Sequence, residues 1–149
     1  MHASRQRDVS SIIQMMQYFL AKTEPRTYSI DDLERDGQTV WDGVHNHQAI
    51  AAIKAMQPGD RVFIYHSVSG KNIVGEAEVT AAPFENTADP RYSWAVTLSF
   101  VRRLNGPTLA ECKATPLCRS FQLVTHSRLS TMRVPDDIAH WILACADER

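Results

Sequence analysis

The sequence predicts an α+β domain, a small and mostly antiparallel β-barrel flanked by helices, on three observations. Arg61 to Ser67 and Asn72 to Thr80 are β-type runs joined by the short segment VSGK, which reads as a hairpin. In SWAVTLSFVRRL the side chains of Trp94, Val96, Leu98 and Phe100 alternate with Ala95, Thr97 and Ser99, the period of a strand with one buried face. Helical patterns stand before and after these strands, with hairpin connections where a parallel sheet would need helical crossovers.

The other elements follow in chain order. Residues 1–15, MHASRQRDVSSIIQM, are mostly polar and charged and read as a flexible N-terminal extension, leaving 16–149 as one domain. Tyr18-Phe19-Leu20-Ala21 is a short apolar run suited to a buried strand. Ser29 lies three residues before Asp32, the spacing at which a hydroxyl and a carboxylate satisfy free N–H groups at a helix start, and Gly37 ends that helix. Through QAIAAIKAM, Ile50, Ile53 and Met56 recur at helical spacing until Pro58-Gly59 breaks the pattern. Thr108 to Ala114 reads as a brief helix, and Phe121 to Val124 and Ser130 to Val134 as strands. Pro135 to Ala146 reads as a closing helix that buries Ile138, Trp141, Ile142 and Cys145.

Composition narrows the function. With 44% hydrophobic and 22% charged residues the chain resembles an average globular protein, so it folds. A net charge of -1 supplies no global attraction to phosphate, so a nucleic-acid role has to be local. The three cysteines, Cys112, Cys118 and Cys145, lack C-x2-C spacing and read as reduced thiols of an intracellular, cytoplasmic protein, nuclear if the source is a eukaryote. No apolar run reaches the length of a membrane span.

The stretch TVWDGVHNHQA, residues 39–49, concentrates the side chains that carry chemistry. His45, His47 and His66 lack the spacing of a zinc site, and the expectation is no metal and no cofactor. His66 and Ser67 are neighbours on a strand and point to opposite faces, and neither a G-x-S-x-G elbow nor a phosphate-binding glycine fingerprint occurs. Glu76 and Glu78 share a strand face, which a solvated outer surface explains. Recognition of a flat polar ligand remains. Trp41 offers a ring for stacking, Asp42, Asn46 and Gln48 can read donors and acceptors on a base edge, and Lys22 with Arg128 can meet a phosphate.

Five blocks in order, KTEPRTYSIDDL, TVWDGVHNHQA, MQPGDRVFIYHS, IVGEAEV and SRLS, resemble the EVE domain, a PUA-like fold similar to YTH domains. The resemblance implies a β-barrel with a pocket for a single nucleobase, often a modified one, extruded from DNA or RNA. By that resemblance Trp41 forms a wall, Asp42 and Asn46 shape the pocket, and Lys22, Thr23 and Glu24 form its rim. His66 and Ser67 end a strand at its mouth, Arg128 and Ser130 approach the nucleotide, and Trp94 is a candidate second wall. The chain departs from the family pattern at His45 and His47, where arginine and tyrosine are usual, and at Thr23, where serine is usual. The expected function is therefore a non-enzymatic reader of a base in nucleic acid. An enzyme with His45, His47 or His66 as general base, or a small-molecule or protein-binding module, are the alternatives.

Overall fold

The computed structural model describes residues 16–149, so the expected extension at 1–15 lies outside the described residues. Strand β1 (Tyr18–Thr23) leads to helix α1 (Ile30–Asp36), then β2 (Gln38–Trp41), α2 (His47–Ala55), β3 (Arg61–His66) and β4 (Asn72–Val79). After these come β5 (Phe84–Glu85), β6 (Trp94–Arg103), α3 (Leu109–Ala114), a 3-10 turn (Pro116–Cys118), α4 (Gln122–Thr125), β7 (Thr131–Val134) and α5 (Asp136–Asp147).

The strands form one sheet in the order β2-β6-β4-β3-β1-β7, with β5 paired to β6. All pairings are antiparallel except β1 with β3, which run parallel and are joined through α1, β2 and α2. The antiparallel character was legible, but the barrel is not closed. The sheet ends at β2 and β7, two strands of four residues with no ladder between them.

Local chemistry explains most elements. Ser29 accepts from the Asp32 N–H while Asp32 accepts from the Ser29 N–H, so both halves of the capping box at α1 are made. Gly37, at φ 78°, ends α1 by donating its N–H to Leu33. Thr108 and Glu111 cap α3 in the same reciprocal way.

Two readings need correction. Phe121 to Val124 is not a strand: Thr125 N–H bonds back to Phe121, and α4 is a single helical turn that buries Leu123 below it. An apolar run that short fits a strand or a buried turn equally well, and here the turn wins. On α5 the buried residues are Ile138, Ala139 and Ile142, with Trp141 and Cys145 half-buried at the edge of that face.

The core lies where α2 and α5 cover the sheet. Phe19, Leu20, Val62, Phe63, Ile73 and Leu98 meet Ile50, Ile53, Ile138 and Ile142, all essentially inaccessible. Each such side chain contributes roughly 1.5–3 kcal/mol of burial free energy. On the other flank, α1 packs on β6 and β2, which fixes the edge strand that carries Trp41. Among the described residues no helix is long and apolar enough to cross a membrane.

Candidate functional site: a cleft at the open side of the sheet

In the ladder β1 and β2 are separated by β3, β4 and β6. Even so, the C-terminal end of β1 and the last three residues of β2 line one cleft of about 410 Å³, so the sheet curls until these two regions face each other without pairing. That size falls in the range of ligand pockets, roughly 300–1,000 Å³. From β1 and the turn after it come Lys22, Thr23, Glu24, Thr27 and Tyr28; from β2 and its end come Thr39, Val40, Trp41 and Asp42.

Trp41 is the last residue of β2, opposite Val96 of β6, and is half-buried with one side against the core. Its indole N–H is buried and has no hydrogen-bond partner among the described residues. A buried donor left unpaired costs about 1–3 kcal/mol. Two residues on, Gly43 at φ 73° turns the chain away from the strand, a left-handed conformation that a side chain would strain. Asp42, between them, is exposed at the rim.

The opposite wall is held by its own hydrogen bonds. Thr23 Oγ1 donates to the Tyr28 carbonyl at 2.5 Å, and Glu24 accepts from the Arg26 N–H at 3.2 Å and from Thr27 Oγ1 at 3.3 Å. Tyr28 Oη donates to Asp36 at 2.9 Å, which anchors the ring to α1, and burial raises its phenol above the ordinary value. Lys22 Nζ donates to the Ser127 carbonyl at 3.1 Å, and burial lowers its pKa.

The structure thus brings together Trp41, Asp42, Lys22, Thr23 and Glu24 of the residues singled out in the sequence. It does not bring the others to this cleft. Asn46 Oδ1 accepts from the Ala49 N–H at 3.0 Å, capping α2. His66 Nε2 accepts from the Ile30 N–H at 3.0 Å, at the start of α1, and burial depresses its pKa. His45 Nε2 lies 2.7 Å from Asp89 Oδ2, which also accepts from Ser93 Oγ at 2.9 Å, so His45 ties its loop to the segment before β6.

Trp94 is no second wall of this cleft: its Nε1 donates to Tyr92 Oη at 3.1 Å, and Lys54 Nζ stands 5.1 Å from its ring. Gln48 is exposed on the first turn of α2. Ser67 Oγ donates to the Thr23 carbonyl at 3.2 Å, just outside the rim. Arg128 is exposed, and Ser130 contributes its carbonyl to the Lys22 N–H at 2.8 Å. Glu76 is buried between Arg61, at 3.1 Å, and Arg102, at 2.9 Å, so it belongs to an ion-pair cluster and not to a solvated face. No group of three metal-ligating side chains occurs among the described residues.

Sequence reasoning missed Tyr28, Thr27, Thr39 and Val40. Tyr28 carried a signal, because it directly precedes the N-cap of α1, a position where a large side chain often packs on its helix.

These features define an α+β domain whose curled, unclosed sheet opens into a cleft with an aromatic wall. The EVE domain model matches residues 17–145, and the chain belongs to the EVE domain family. Rat thymocyte nuclear protein 1 is 33% identical over 165 aligned positions, covering 85% of this chain and 72% of that protein. Among solved structures, a Leishmania major protein superimposes with a TM-score of 0.83 at 31% identity, over 91% of this chain and 97% of that one. Human THYN1 in complex with 5-methylcytosine-containing DNA shares the fold, with a TM-score of 0.79 at 24% identity over 89% of this chain and 99% of that one.

Proposed function

We propose that this chain is a non-enzymatic nucleic-acid-binding domain that accepts a flipped-out, modified base in the cleft between β1 and β2. The observation that carries the reading is the meeting of Trp41 with Lys22, Thr23, Glu24 and Asp42 around one opening of base-compatible size. The DNA complex of human THYN1, which has the same fold, supports a modified cytosine as the first base to try.

The chemistry is that of a reader. Trp41 supplies a face for stacking, worth roughly 1–3 kcal/mol per base. Its indole N–H is buried, so what Trp41 offers a ligand is the exposed part of its ring and not that donor. Glu24 and Asp42 offer acceptors to exocyclic amines, and Thr23 places a hydroxyl at the rim. Extrusion costs a few kcal/mol, which stacking and edge hydrogen bonds must offset together.

A binding role is favoured over catalysis because no histidine lines the cleft. The lone pair of His66 is committed to a backbone N–H, and His45, paired with Asp89, lies outside the cleft. The free cysteines are compatible with a reducing, intracellular setting.

Fluorescence anisotropy with a duplex carrying one 5-methylcytosine, its unmodified counterpart and the matching RNA tests the reading. Trp41→Ala should weaken binding to the modified duplex by about 5- to 140-fold, the equivalent of roughly 1–3 kcal/mol. Unchanged affinity in a folded variant would remove the cleft from the mechanism. Affinity independent of salt would point instead to a module that does not touch phosphate.

A further inference from the structure

A second cleft, of about 210 Å³, lies on the far side of Lys22. It forms where the end of β3, the loop into β4 and the segment before β7 meet, and Lys22, Ser67, Val68, Lys71 and Ser127 line it. The two clefts share Lys22 and differ in charge. Around the first, Lys22 is outnumbered by Glu24 and Asp42; around the second stand Lys22 and Lys71 with no carboxylate.

Lys22 is held on the partition by its bond to the Ser127 carbonyl, which uses one of three ammonium N–H groups and leaves two to face a ligand. Burial disfavours its charged form, and a neighbouring anion would reverse that effect. Lys71 is exposed and enters no ion pair among the described residues.

The loop is also strained. Val68 adopts φ 71° and Lys71 φ 47°, and a β-branched residue in the left-handed region is a true outlier. Such backbone costs about 1–3 kcal/mol and concentrates at ligand clamps. Here it places both side chains at the mouth of the same cleft.

We propose that the second cleft is a phosphate subsite, in which Lys22 and Lys71 hold the phosphodiester next to the base that occupies the Trp41 cleft. The proposal rests on the base-binding reading of that first cleft. Extruding a base rotates its nucleotide about the backbone, so an adjoining phosphate must lie just outside the base site. A cationic cleft sharing a wall with the base cleft meets that need, and lysines bind phosphate as point charges.

The test uses Lys71→Gln and duplexes in which a neutral methylphosphonate replaces the phosphate on the 5′ or the 3′ side of the 5-methylcytosine. In the native protein, one of these replacements should weaken binding several-fold, and in K71Q, where Lys22 alone faces that phosphate, the same replacement should cost clearly less. The slope of log affinity against log salt should become shallower in K71Q, by at most about 0.9, the equivalent of one phosphate contact. The ratio between modified and unmodified duplex should stay as in the native protein, because the base cleft is untouched. An unchanged salt slope, or equal losses on the methylphosphonate duplexes for native protein and K71Q, would overturn the subsite. Failure of the base reading looks different: W41A would then keep the native ratio between duplexes, whatever K71Q does.

Discussion

The stretch WDGVHN divides into two halves with opposite fates. Trp41 and Asp42 line an open cleft, and the indole N–H of Trp41 has no partner. His45 and Asn46, three and four residues further on, are committed to the protein itself, one to Asp89 and the other to the first turn of α2. All four can hydrogen-bond, and sequence alone gives them equal standing. The difference teaches that a place at an opening, more than residue type, marks a binding position. Gly43 separates the halves, since its left-handed backbone turns the chain from the strand edge toward the helix.

The largest effect that could break this division is on affinity. Trp41→Ala should lose base binding, whereas Trp41→Phe, which keeps a smaller ring, should retain part of it; equal loss in both would contradict stacking as the source of the affinity. Asn46→Ala should do the reverse of Trp41→Ala. Loss of a helix cap costs about 1 kcal/mol, which lowers the Tm by a few degrees in a chain of this size, with affinity for the modified duplex unchanged. A drop in affinity beyond that accounted for by unfolding would return Asn46 to the base edge.

The pH dependence of stability sharpens the same contrast at His66. Its folded pKa lies below the ordinary histidine value because of burial, and its Nε2 accepts a hydrogen bond only when unprotonated. The unfolded chain therefore binds the proton more readily, so this stabilising contribution is present above the ordinary histidine pKa and is lost as pH falls below it. The gap in Tm between native protein and His66→Gln should narrow from pH 7.5 to pH 5.5, read by thermal melts; a constant gap would contradict the capping role. The smallest effect is expected at His45. Replacing it by alanine removes one partly exposed contact with Asp89, on the order of 1 kcal/mol or less, and should leave base affinity as it was.

Much of the fold was legible because its signals are local. The capping box at Ser29 and Asp32, the alternation along β6 and the VSGK hairpin each lie within a few residues. What escaped was short or long-range. Four residues with a half-exposed pattern make β2 hard to see, and its place beside β6 depends on a partner almost 60 residues away. The open side of the sheet follows from strand order and curl, which no periodicity encodes.

The site divides on the same physical line. Trp41 and Lys22 were legible as residues, but their meeting across an unpaired gap was not, and Lys71 was invisible until the loop placed it beside Lys22. The role of Asn46 was within reach, because asparagine three residues before Ala49 and ahead of an apolar helical run is a strong N-cap signal.

The most direct test follows the side-chain indole resonances of Trp41, Trp94 and Trp141 by NMR while the 5-methylcytosine duplex is added. The Trp41 signal should shift strongly as a base stacks on its ring, and Trp94, bonded to Tyr92 and outside the cleft, should stay near its free position. Saturable binding that leaves the Trp41 signal where it began would contradict the account.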